Sequence, residues 1–111
     1  MPAGALKERV SFAVRNEQDD GYGNTVADWI EQFQEAAEFI HMRGGEAVIS
    51  ARLENRHPQV IRVRANTATR RVTADWRITD ARTRAEYAIH DVTRSTDNKW
   101  IDFLCERGVV A

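Results

Sequence analysis

The sequence predicts a mainly β protein, a small antiparallel β-barrel or sandwich with one short α-helix inserted after the second strand. Three observations predict it. Apolar and polar residues alternate in "RVSFAVR", "QVIRVRA" and "NKWIDFLCERG", the period of a half-buried strand. Turn-forming Asp, Asn and Gly residues fall between the alternating runs. The chain has 111 residues, enough for one core and one domain spanning 1–111. Five or six short strands in so small a domain are most simply accommodated by closing the sheet.

Taken in order, "RVSFAVR" puts Val10, Phe12 and Val14 on one face. "NEQDDGYGNT" is polar, carries two glycines and reads as a long loop. "VADWIEQFQEAAEFI" supports two readings. Val26, Ile30, Phe33, Ala37 and Ile40 form a helical stripe, whereas a strand would align Trp29, Phe33, Ala37 and Phe39, interrupted by Glu31 and Glu35. Periodicity alone favours the helix. "GGEAVISARLEN" reads as the short helix: Gly44-Gly45 permits a sharp entry, Glu46 suits its N-terminal end, and Asn55 and Pro58 stop it. In "QVIRVRA", Val60 or Ile61 faces inward with Val63. "DWRITDARTRAEYAIHDVTR" reads as a hairpin with Trp76 and Ile78 on one strand face, and Tyr87 and Ile89 on the other. Val92 falls out of step there, which predicts a bulge. Asp97-Asn98 makes the next turn, and Ile101, Phe103 and Cys105 share the inner face of the last strand.

Composition excludes several classes. A hydrophobic share of 42% with 30% charged residues is that of a soluble globular domain. No uncharged run approaches the roughly 20 apolar residues of a membrane span. No signal-peptide stretch opens the chain, so synthesis and use in the cytoplasm are expected. Cys105 is the only cysteine, which precludes an internal disulfide and reads as a buried core thiol. Net charge is −1, so no global field draws the protein to nucleic acid. The charge is nevertheless divided. Between Asn16 and Met42 lie seven acids and no Lys or Arg; between Arg43 and Arg84 lie ten arginines and four acids. These regions are either two solvated faces or complementary surfaces that meet between subunits.

Catalytic groupings are absent from the pattern. His41, His57 and His90 lack metal-ligand spacing and a Cys partner. "DDGYGN" lacks the ligand spacing of a calcium loop, and the Gly-Gly pair lacks the Lys-Ser/Thr of a phosphate loop. No catalytic residue, cofactor or metal is expected. A small β-barrel nucleic-acid-binding module is the alternative, with Arg62, Arg64, Arg70, Arg71 and Arg77 tracking phosphates and Trp76 or Tyr87 stacking bases.

The ordered pieces resemble the head–tail joining proteins (head completion, connector or stopper proteins) of long-tailed bacteriophages, prophages and gene transfer agents. The resemblance spans nearly the whole chain. It rests on Gly4, Leu6, Arg9 and Val10 at the start, and on Asp20 and Gly23 leading to Trp29. It continues through Gly44 and Glu46 after "FIHMR", Ile61-Arg62 or Val63-Arg64, the Tyr87, Ile89 and Val92 hairpin, and the ending "FLCERG". The family often has Trp-Ala in its second strand, where this chain has Glu35-Ala36. With the resemblance, the 26–40 segment is read as a strand, because a closing sheet needs that pairing partner.

The resemblance implies a structural virion protein at the head–tail interface, made in the host bacterial cytoplasm. It implies a connector ring subunit that lies beneath the portal, retains packaged DNA and offers the tail a docking face. The implied partners are a roughly twelve-fold ring of copies, portal or adaptor protein above, tail terminator or tail protein below, and channel DNA bound without sequence specificity; no membrane is implied. The expected subunit interface sets Asp19, Asp20, Asp28 and Glu31 of one copy against Arg62, Arg64, Arg70 and Arg77 of the next. The expected channel- or ring-facing module comprises Arg43, Gly44, Gly45, Glu46, Arg52, Arg56 and His57. A helix capping the open barrel end is the competing reading of that module.

Overall fold

Six strands form one antiparallel sheet that closes on itself in the order β1–β2–β3–β6–β5–β4 and back to β1. The structure is a computed structural model, and it describes residues 6–19, 21, 25–41 and 57–107. The strands are β1 (Glu8–Asp19), β2 (Thr25–His41), β3 (His57–Arg64), β4 (Arg77–Asp80), β5 (Glu86–Arg94) and β6 (Trp100–Arg107). Closure leaves the barrel without an edge where all six strands meet. A 3-10 turn at Thr69–Arg71 is the only helical element among the described residues. The helix expected in "GGEAVISARLEN" lies outside them.

Alternation sets the inward faces. Val10, Phe12, Ile61, Val63, Ile78, Phe103 and Cys105 are fully buried, and Ile101, Tyr87 and Ile89 nearly so. Phe12 sits at the centre of this core, 5.4 Å from Phe103 and stacked at 4.8 Å on Phe33. Phe39 meets Tyr87 edge-on at 5.7 Å, an arrangement that aromatic quadrupoles favour. Of the residues expected in the core, Val14, Phe33 and Trp76 are only half-buried. Phe33 and Trp76 pack on its rim, while Val14 lies one residue beyond Ala13, the last β1 residue paired with β4.

The segment that periodicity assigned to a helix is strand β2, paired with β1 from Thr25 to Ala37 and with β3 from Ala37 to His41. The helical stripe is overridden because Phe33, Ala37 and Phe39 complete the barrel wall. A bulge mediates the fit: Phe12 pairs with Phe33, but Ala13 pairs with Glu31, so Gln32 is skipped. The Gln32 amide donates to the Ile30 carbonyl at 3.1 Å. The second bulge is the one Val92 predicted. Ile89 pairs with Cys105 and Asp91 with Leu104, leaving His90 unpaired in the ladder and returning Val92 to the Phe103 position.

The expected loop at 16–25 needs correction. β1 runs to Asp19 and β2 resumes at Thr25, with Asn16 paired to Asp28 and Asp19 to Thr25. The polar composition hid these strands because they leave the barrel. β4 pairs with β1 only from Val10 to Ala13, and β3 reaches β2 only from Ala37. Val14–Asp19 and Thr25–Ile30 therefore pair only with each other among the described residues. They form a two-stranded arm about 20 Å long at strand rise.

Candidate subunit interface

The arm ends in polar sequence and carries apolar residues near its root. Trp29 and Ile30 are 37% and 44% exposed, the large exposed hydrophobics among the described residues. As neighbours in a strand they point to opposite faces. Trp29 rests on the Arg77 guanidinium, 4.6 Å from the ring centroid, and Arg77 also meets Glu86 at 3.3 Å. Trp29 and Trp76 flank a groove of about 210 Å³. It sits where the Thr73–Trp76 connection ends and the short β4 begins.

The other face of interest lies where β3 ends and β6 begins. Arg64 and Trp100 are paired across the ladder, and the Arg64 guanidinium lies 5.8 Å from the Trp100 ring centroid. The loop after β3 is pinned from within. Buried Thr69 donates its hydroxyl to the Arg64 carbonyl at 2.7 Å, and its backbone N–H donates to Asn66 Oδ1 at 2.8 Å. Asn66 in turn donates to Glu35 of β2 at 2.9 Å. This network presents Arg70 beside Arg64. Together with Ala65, Asn98, Lys99 and Trp100 they line an open cleft of about 470 Å³, which has three cations and no carboxylate in its lining. Asn98 makes the tight β5–β6 turn at φ +59°, a conformation Asn tolerates.

The expected interface residues divide into distinct groups. Asp28 is exposed on the arm. Glu31 is exposed too, but it accepts hydrogen bonds from the Ser11 hydroxyl and, at 3.2 Å, from Gln34. The Ser11 bond is the main reason its carboxyl titrates below the usual range. Asp19 closes β1 opposite Thr25, and Asp20 lies outside the described residues. Arg64 and Arg70 are exposed at the cleft. Arg62 and Arg77 each hold a carboxylate of their own chain. Arg62 forms a two-pronged ion pair with Asp102, at 2.6 and 2.9 Å; that bond, opposed by desolvation, raises its pKa. Arg77 is half-buried between Trp29 and Glu86. Both arginines brace neighbouring strands of their own chain.

Of the expected channel module, Arg43, Gly44, Gly45, Glu46, Arg52 and Arg56 lie outside the described residues. His57 is the first residue of β3, opposite Arg107. β2 thus ends at His41 and β3 begins at His57, both at the end remote from the arm, since β2 runs from the arm towards His41. Sequence reasoning missed Lys99 and Trp100 as surface residues. Outward alternation with the buried set Ile101, Phe103 and Cys105 could have placed Trp100 there.

The cleft and arm can bind by charge and apolar contact, but no catalytic geometry accompanies them. No cluster of His, Cys, Asp and Glu among the described residues could hold a metal ion. Burial pushes the Cys105 thiol up to about 12, so it stays protonated and unreactive at neutral pH. His90 pairs with Glu106 at 2.9 Å on the outer surface. No helix among the described residues is long and apolar enough to cross a membrane.

Comparison with known proteins gives the following. A family model described as phage head completion protein matches residues 1–108. The fold is similar to the solution structure of protein SF1141 from Shigella flexneri 2a. That match has a TM-score of 0.73 at 18% identity, covering 100% of both chains. It is also similar to a chain in the virion of a native gene transfer agent particle. There the TM-score is 0.66 at 23% identity, with 95% of this chain and 96% of that one covered. Curated protein sequences yield no match.

Proposed function

The chain belongs to the phage head completion protein family, and from that membership we propose that it is a connector ring subunit beneath the portal. It is a structural component of the virion and not an enzyme. In the proposed role, copies assemble into a roughly twelve-fold ring, retain packaged DNA and give the tail its docking face. The observation that carries this reading is a closed barrel with a two-stranded arm at one end and the end of β2 and start of β3 at the other. A ring subunit needs contacts both around the ring and along its axis; in this reading the arm serves the first and the segment that joins β2 to β3 serves the second. In this reading residues 43–58 are the axial element, with Arg52, Arg56 and His57 near DNA phosphates.

Replacing Glu46–Arg56 with a short Gly-Ser linker tests the role. The expected outcome is a folded monomer whose filled heads leak DNA or fail to take tails. If the monomer unfolds instead, the segment is a barrel cap and the channel role falls. The nucleic-acid reading finds support in the cation-lined cleft with its Trp100 ring. It requires tight duplex binding with a steep salt slope by the isolated chain, whereas a connector subunit shows none.

A further inference from the structure

We propose that the basic cleft formed by Arg64, Arg70, Lys99 and Trp100 receives the β1–β2 arm of a second copy of this chain. The inference rests on the connector reading and names the contact that would join one subunit to the next.

Three observations converge on it. First, the arm is supported by the rest of its chain only near its root, where Trp29 rests on Arg77. A two-stranded ribbon is marginal in water, yet this one extends six residue pairs, Val14–Asp19 with Thr25–Ile30, beyond its neighbours in the sheet. Second, the two surfaces are complementary. The cleft lining holds three cations and an aromatic ring without a carboxylate. The arm and its tip, residues 14–30, hold four acids against a single base, Arg15, and Asp28, Trp29 and Ile30 are exposed on it. An acidic strand with apolar neighbours suits a basic cleft with a Trp floor: carboxylates meet guanidinium and ammonium groups, and the apolar side chain meets the indole. Third, the placement suits a lateral contact. Ala36 of β2 lies one step beyond the Ala37–Val63 pair, so Arg64 sits at the barrel end from which the arm departs. Arm and cleft are different patches on one end of the subunit, the arrangement of a heterologous contact that can propagate round a ring.

The assignment also replaces part of the earlier expectation. Arg62 and Arg77 are committed to Asp102 and Glu86 within their own chain. The receiving cations are Arg64, Arg70 and Lys99.

The test is charge reversal and its compensation, read as in vitro joining of tails to filled heads lacking this protein. Arg70→Glu with Lys99→Glu, and separately Asp28→Lys, should each lower joining by about tenfold or more, since like charges then face each other. All three changes in one chain should restore most of that loss, because every subunit carries both halves. An unchanged thermal melt verifies that each variant folds. Normal joining by the cleft variant overturns the inference while leaving the connector reading intact. Loss in the cleft variant, no loss with Asp28→Lys and no restoration in the triple variant also overturn it, and mean that the cleft meets a phosphate backbone; binding of duplex DNA by the parent chain would then accompany that result. If heads lacking the protein already join tails normally, the connector reading itself fails.

Discussion

The barrel and the arm are built from the same two strands, yet they are stabilised differently. From Val10 to Ala13, β1 has β2 on one side and β4 on the other, and its inward residues Val10 and Phe12 are fully buried. From Val14 onwards it has β2 alone, and the partner residues Trp29 and Ile30 are exposed. The same antiparallel ladder therefore holds a fully buried core in one half and, among the described residues, only partly buried apolar side chains in the other. Backbone pairing alone contributes little net stability, because hydrogen bonds made in folding replace bonds to water. Burial decides, so the barrel folds as a unit and the arm depends on what it docks against.

The largest way to sharpen this contrast is to open the barrel core. Phe103→Ala removes a fully buried ring beside Phe12 and should cost about 3–5 kcal/mol, measured by urea unfolding. An effect below about 1 kcal/mol would mean that the core is not packed as described.

Next comes alkaline pH. The buried Cys105 thiol is raised from 9.0 to about 12, and burial raises Tyr87 as well. A raised folded pKa means stability is fully present below the unfolded value and falls as pH climbs towards the folded one. Unfolding free energy should therefore decline between roughly pH 9 and pH 12, and Cys105→Ala should flatten part of that decline. Equal slopes in parent and variant would contradict a buried thiol.

The Arg62–Asp102 pair is a smaller lever. Its side chains are 28% and 32% exposed, so Asp102→Ala should cost only about 1 kcal/mol. A double-mutant cycle with Arg62→Ala isolates the coupling.

The arm should matter least to stability. Replacing residues 16–28 by Asn-Gly, which joins the paired residues Arg15 and Trp29 with a favoured hairpin turn, should shift unfolding by less than about 1 kcal/mol. Joining of heads to tails should nevertheless be lost. A large loss of stability would show the arm to be part of the barrel's folding unit.

The same contrast accounts for what was legible in the sequence. Where side chains are buried on one face, alternation is strict. The last strand was read with its inner face correct at Ile101, Phe103 and Cys105, and Val92 disclosed its bulge. "NEQDDGYGNT" carries no apolar alternation, so strand residues 16–19 read as loop. β2 was ambiguous because it belongs to both regions: the Gln32 bulge shifts its phase midway, and the broken period mimics a helical stripe. The resemblance to head–tail joining proteins, not periodicity, favoured the strand. Of the expected interface residues, the charge split named Arg64, Arg70 and Asp28, which are exposed. It could not tell them from Arg62 and Arg77, since an arginine's partner across the ladder depends on a register that composition does not encode.

The most direct test of the account is amide hydrogen exchange on the isolated chain and on assembled particles. In the isolated chain, β3 and β6 should exchange slowly by global unfolding, while residues 14–19 and 25–30 exchange through local opening. On assembly, those arm amides and the loop at 65–71 should become protected together. Arm amides as protected as β6 in the isolated chain, or unprotected in the particle, would contradict the claim that the arm takes its stability from a neighbouring copy.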